Sequence, residues 1–195
     1  MRRRRLTAIV AAFVVLVALL LFSLGTFNPP PSTTGTASTT SASFAVDASA
    51  VIASAAAQAP AGYAQGSSRQ LNPNETGLES GGYAVFSTQA GSVANMTILV
   101  FDTPRSAQTY TASVVSNAKA LLGYSDVSSS LASYQRYGVC YGFGQTDPYG
   151  NGAVATGVCS KGNVYIQVHV VSPTSLSAAE GEMSSLVGAA YQSIN

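Results

Sequence analysis

Hydrophobic and polar positions alternate with a period of two through the stretch from Tyr134 to Val171, and the rest of the chain is arranged around it. Alternate side chains of a strand point to opposite faces, so this period predicts strands. Turn residues at DPYGNG and KG divide the stretch into YQRYGVCYGFG, AVATGVCS and NVYIQVHVV, a three-stranded antiparallel meander. Setting Cys140 opposite Cys159 leaves the six residues Asp147 to Gly152 as the first loop, with Pro148 preset for a turn and Gly150 and Gly152 free to take positive φ. A two-residue turn at Lys161 and Gly162 then sets Cys159 opposite Val164 and His169 opposite Val154.

This register sorts the meander into two faces. Gly138, Cys140, Gly142, Gly144, Ala153, Ala155, Gly157 and Cys159 share one with Val164, Ile166, Val168 and Val170. Small residues beside a Val/Ile row suit a helix packed close to the sheet, which makes this the core face. The other carries Tyr137, Val139, Tyr141, Phe143, Val154, Thr156, Val158, Tyr165, Gln167 and His169, and is aromatic and only partly polar.

Upstream, Val51, Ile52 and Ala55 recur at helical spacing, and Pro60 ends the run, predicting a helix from Asp47 to Gln58. An edge strand follows at Gly62 to Gln70, then a polar loop, LNPNETGLESGG, then a hairpin of YAVFSTQ and ANMTILVFD turning at Ala90 to Val93. The second hairpin strand is apolar on both sides, with Met96, Ile98 and Val100 opposed to Leu99 and Phe101, as in an interior strand whose two faces are covered. Thr103 is an N-cap and Pro104 the first helical residue of a helix striped by Ala107, Tyr110, Val114, Ala118, Leu121 and Leu122 and stopped at Gly123. The connection Tyr124 to Ser133 has room for a short strand. A closing helix, Ser175 to Ser193, carries Leu176, Ala179, Met183, Leu186, Val187, Ala190 and Ile194 on one stripe, with Ser177 and Glu180 at capping-box spacing.

The order predicts an α+β domain, a mainly antiparallel β-sheet of about five to seven strands with about three packed helices. At the level of architecture it resembles the small exported α+β domains of PsbP-like lipoproteins and of kinase extracellular sensor domains. No motif carries a site residue over from either.

The N-terminal pattern differs in kind. Leu6 to Leu24 is 19 residues without a charge, enough to cross a bilayer core of about 30 Å. Arg2 to Arg5 precede it, so the positive-inside rule keeps the N-terminus cytoplasmic and sends the remainder outside. The run is longer than a secretory signal core and no A-x-A site follows it, which favours an uncleaved signal-anchor. The expected organisation is a cytoplasmic N-terminus at 1–5, a transmembrane signal-anchor at 6–27, a Pro/Ser/Thr-rich stalk at 28–43 and an extracytoplasmic α+β domain at 44–195. With so short a cytoplasmic segment, a sensing role would call for a second protein.

Charge narrows the function classes. Charged residues make up 9% of the chain and hydrophobic residues 47%, which excludes a disordered chain. Outside Arg2 to Arg5 there are five basic residues against eight acidic, a net of −3, so no basic stripe exists for nucleic acid. On the exported side two cysteines at facing positions of paired strands form a structural disulfide, Cys140–Cys159. With no C-x-x-C and a single histidine, they build no metal site.

His169 is the only histidine, so any acid–base mechanism must use it, and no G-x-S-x-G elbow or phosphate loop accompanies it. Asp102, Asp126 and Asp147 come from separate turns, and TDPYGNG has too few carboxylates for a calcium loop. No catalytic residue, metal or cofactor is therefore expected. Asn74 and Asn95 begin N-glycosylation sequons. Tyr137, Tyr141, Phe143, Tyr165 and His169 are the candidate binding face, suited to a protein, glycan or lipid partner, unless another layer such as the first helix covers them. The resulting expectation is a single-pass membrane protein with an extracytoplasmic binding, sensing or assembly domain and no catalytic activity. Its rivals are an exported hydrolase using His169 and a pilin-like filament subunit. The second is disfavoured by Arg5 leading directly into Leu6 and by the absence of any acidic residue before Asp47.

Overall fold

The structure is a computed structural model that describes residues 42–72, 74–120, 123–147, 150 and 152–194. The expected anchor, the cytoplasmic residues and nearly all of the stalk lie outside the described residues, as do Leu121, Leu122 and Pro148. Among the described residues no helix is long and apolar enough to cross a membrane.

Helix α1, Ala48–Ala57, begins where the Asp47 carboxylate accepts hydrogen bonds from the backbone N–H groups of Ser49 and Ala50. These are donors that a helix start leaves unsatisfied. Strands β1 (Tyr63–Leu71), β2 (Leu78–Thr88) and β3 (Val93–Phe101) follow as an antiparallel meander. Helix α2 spans Pro104–Ala120, with Thr103 Oγ1 accepting from the Ser106 N–H at 3.2 Å. A two-residue β4 (Ser125–Asp126) and two 3₁₀ turns, Ser128–Leu131 and Gln135–Tyr137, precede β5 (Cys140–Thr146), β6 (Ala153–Lys161) and β7 (Val164–Ser172). Helix α3, Leu176–Gln192, closes the fold.

The strands form one seven-stranded sheet in the order β1-β2-β3-β7-β6-β5-β4, antiparallel throughout. This confirms the α+β class among the described residues. Helices α1 and α3 cover one face, α1 over β2 and β3 and α3 over β6 and β7. Glycines allow the close approach. A Cβ on Gly82 would sit 2.6 Å from Ile52 Cδ1, and one on Gly157 would sit 3.1 Å from Met183 Sδ and 3.2 Å from Val187 Cγ2. The core between these layers includes Phe86, Met96, Ile98, Ile166, Met183 and Leu186, all fully buried.

Helix α2 covers the other face, but only the half formed by Leu99, Phe101, Phe143, Val158 and Tyr165. The Tyr110 ring meets Tyr165 edge-on at 4.9 Å and lies 5.4 Å from Phe101. The cover over these aromatics is therefore α2, whereas the first helix lies on the opposite side of the sheet.

Cys140 faces Cys159 as expected and the two are joined in a buried disulfide. The loop between their strands is Asp147 to Gly152, since Thr146 pairs with Ala153. The β6–β7 register, however, differs by two residues from expectation. The turn is Gly162 and Asn163, not Lys161 and Gly162, so Cys159 faces Ile166, Val154 faces Val171 and His169 faces Thr156. A shift of two preserves which face each side chain takes.

Three further corrections concern boundaries. Tyr134 to Val139 is not the start of a strand but 3₁₀ and extended chain, and a side chain on Gly138 would collide with the Ser160 carbonyl. Leu78 to Gly82, read as loop, is the first half of β2. The N-cap of α3 is Ser175, whose Oγ accepts from the Ala178 N–H at 3.2 Å, rather than Ser177.

Candidate binding groove

A groove of about 740 Å³ opens where the first half of α3 passes the α1–β1 connection and the β2–β3 turn. One wall is the stripe Ser177, Ala178, Gly181 and Ser185 of α3. The other is Pro60 to Tyr63 together with Thr88 to Ala90. Ser177, Gly181 and Ser185 recur every four residues and so stack on one side of the helix, a length of about 12 Å at 1.5 Å per residue. A Cβ on Gly181 would meet nothing within 4 Å, so the middle of that wall is open.

Among the described residues that line it, Glu182 is the only charged one. Both of its carboxylate oxygens are oriented by neutral donors: Tyr63 Oη donates to Oε2 at 2.8 Å and Ser92 Oγ to Oε1 at 3.0 Å. Ser92 is 2% exposed and held in the β2–β3 turn, its own N–H donating to Thr88 Oγ1 at 3.0 Å. Burial, followed by the hydrogen bond to Glu182 and its charge, raises the Tyr63 hydroxyl well above its ordinary pKa, so it stays a donor. The arrangement is a half-buried, fixed carboxylate beside small uncharged walls.

The five residues of the expected aromatic face do not form one open patch. Tyr165 and Phe143 lie beneath α2, 1% and 7% exposed, and Tyr165 Oη donates to Gln167 Oε1 at 2.9 Å. Tyr141 is half-buried with Lys119 Nζ 4.2 Å from its ring centroid. Tyr137, 48% exposed, stands on a 3₁₀ turn, its ring 6.0 Å from Tyr191 of α3 and 4.6 Å from the Arg136 guanidinium carbon.

His169 lies on the uncovered half of that sheet face, among Thr97, Asn95, Gln167 and Thr156. Its Nδ1 is paired with Thr156 Oγ1 at 2.8 Å, and burial lowers its pKa to about 4. It sits in the middle of regular strands and lines neither the groove nor the smaller cavity at Ser49, Ile52 and Arg69. Asp102 and Asp126 serve local turns, accepting from Ser106 Oγ and from the Ser128 N–H. Among the described residues no group of three or more His, Cys, Asp or Glu is placed to hold a metal ion.

Of the sequons, Asn74 is exposed on the β1–β2 loop, whereas Asn95 is the third residue of β3, its Oδ1 accepting from Tyr83 Oη at 2.9 Å. Sequence reasoning did not select Glu182, Tyr63 or Ser92. The available signal was the small-residue repeat on α3, which falls beside the apolar stripe and has no reason to be small in a surface helix.

Among the described residues, three α-helices packed on the two faces of an antiparallel sheet define the fold class. No protein-family model matches the chain, and no curated protein matches it. Among solved structures it is similar to the extracellular domain of PknH from Mycobacterium tuberculosis, with a TM-score of 0.51 and 11% identity over 75% of this chain and 92% of that one. At that identity the likeness is one of fold.

Proposed function

We propose that the chain is a membrane-anchored extracytoplasmic binding domain without catalytic activity, and that its ligand occupies the groove beside α3. The observation that carries the reading is the groove itself. Its volume falls within the range of about 300 to 1,000 Å³ usual for small-ligand sites, and Glu182, the one charged group among its described lining residues, is held by Tyr63 and Ser92. The apolar segment 6–24, the buried disulfide and the likeness to an extracellular domain support the location. His169 supports the non-catalytic reading, because its Nδ1 is paired with Thr156 in the middle of regular strands and it lines neither the groove nor the smaller cavity. The test is a fragment survey by NMR on the full isotope-labelled chain in detergent. Shifts gathered at Ala61 to Tyr63, Gln89 and Ala178 to Glu182, and lost in Gly181→Trp, are the expected result. Hits centred on His169, or unaffected by Gly181→Trp, would overturn it.

A further inference from the structure

We propose that the groove takes a ligand bearing a primary ammonium or guanidinium group, which pairs with Glu182. The inference rests on the reading of the groove as a binding site and assigns its chemistry. An ionised carboxylate has about four lone-pair positions, and the hydrogen bonds from Tyr63 and Ser92 use one on each oxygen. Both donors are neutral, and the other described lining residues carry no charge, so among the described residues the carboxylate meets no cation within the groove. A half-buried charge recessed between uncharged walls attracts a counter-charge more strongly than one on an open surface, because less water screens it.

The carboxylate is also held in place before a ligand arrives. Ser92 is buried in its turn and Tyr63 keeps its proton, so the oxygens present their free lone pairs in a set direction and little ordering remains to be done on binding. Around it, Ala61, Gly62, Ala178 and Gly181 supply methyl groups and bare backbone. Such walls accept the alkyl stem that carries an ammonium or guanidinium, as in a lysine or arginine side chain or a free alkylamine.

The isotope-labelled full chain in zwitterionic detergent is titrated with acetyl-Gly-Lys-Gly-amide, acetyl-Gly-Arg-Gly-amide, acetyl-Gly-norleucine-Gly-amide and butylamine. The lysine and arginine peptides are expected to shift the amides of Ala61 to Tyr63 and Ala178 to Ser185, binding about tenfold more tightly than the norleucine peptide. Glu182→Gln, which keeps the shape and an acceptor oxygen, is expected to erase that difference, and Tyr63→Phe to reduce it. Raising ionic strength should narrow the same difference in the unsubstituted chain, weakening the lysine peptide and leaving norleucine unchanged. Butylamine binding as well as the peptides marks a free amine as sufficient. Peptide-only binding marks a peptide side chain, and either outcome supports the inference. Equal binding of lysine and norleucine peptides in the groove would overturn the cation assignment and leave the groove reading intact. Absence of binding by every cation would also overturn the assignment, with the fragment survey then deciding the groove reading by itself. Cation shifts that lie elsewhere and persist in Gly181→Trp would overturn both.

Discussion

Removing the Cys140–Cys159 bridge by the double substitution to alanine perturbs the fold at a defined place with a calculable cost. The cysteines are 19 residues apart, 3% and 0% exposed, and link β5 to β6 beneath α3. Loop-closure entropy for a loop of that length corresponds to about 3 kcal/mol at room temperature. For a folded unit of this size that loss lowers the melting temperature by about 6 to 12 °C. Urea titration followed by circular dichroism reads it, with the slope against urea rising in the variant because its unfolded chain expands further. Since both sulfurs are buried, reductant added to the native protein should act only as fast as the hairpin opens. A loss below about 1 kcal/mol with an unchanged slope would refute the reasoning, because the bridge would then not be constraining the unfolded state.

Other expectations follow from single contacts. Gly181→Ala places a methyl in open space on a helix and should stabilise by about 1 kcal/mol in the same titration, whereas Gly142→Ala, whose Cβ would lie 2.8 Å from the Val127 carbonyl oxygen, should cost about 1 to 3 kcal/mol. Burial lowers the His169 pKa from 6.5 to about 4, so between those values the unfolded chain binds the proton that the folded chain refuses. Stability should accordingly fall by about 3 kcal/mol as pH drops through that window and then level off, a slope absent from His169→Gln. The facing residues Thr156 and Asn95 carry no charge that would offset it. Expressed in a glycosylating host, the chain should gain one glycan, at Asn74, because Asn95 is held within an interior strand; a second glycan by mass, removed by Asn95→Gln, would contradict this.

Much of the fold was legible because period and parity survive local errors. The alternation through β6 and β7 assigned every side chain to its correct face even though the turn was misplaced, since the displacement was two residues. The turn was hidden because Asn163, which looks like the first residue of a strand, is instead a buried tie: its Nδ2 donates to the carbonyls of Phe101 and Phe44, and its Oδ1 accepts from the Phe44 N–H. Those partners lie far away in sequence and leave no local pattern. Gly81 and Gly82 misled in the opposite way. They read as loop punctuation, yet Gly82 sits in β2 because α1 packs on it.

Strand and helix ends with strong chemistry were placed correctly, as at Asp47, Thr103 and the facing cysteines. The aromatic face was assembled correctly as a face for Tyr141, Phe143, Tyr165 and His169, but sequence alone could not divide it between the part under α2 and the part left open. The apolar character of Leu99 and Phe101 was the clue that half of it was core. The groove left only one trace in the sequence, the small-residue repeat on α3. It depends on Glu182 meeting Tyr63 and Ser92, residues 119 and 90 positions away, across three elements whose approach no local period records.

If this domain functions outside the membrane, as proposed, the redox state of its two cysteines in expressing cells tests that most directly. Cells are quenched in acid, and the chain is unfolded in the presence of an alkylating agent and weighed. The predicted result is no alkyl group on either Cys140 or Cys159, both being held in the disulfide. Alkylation of both would place the domain in a reducing compartment and contradict the proposed location.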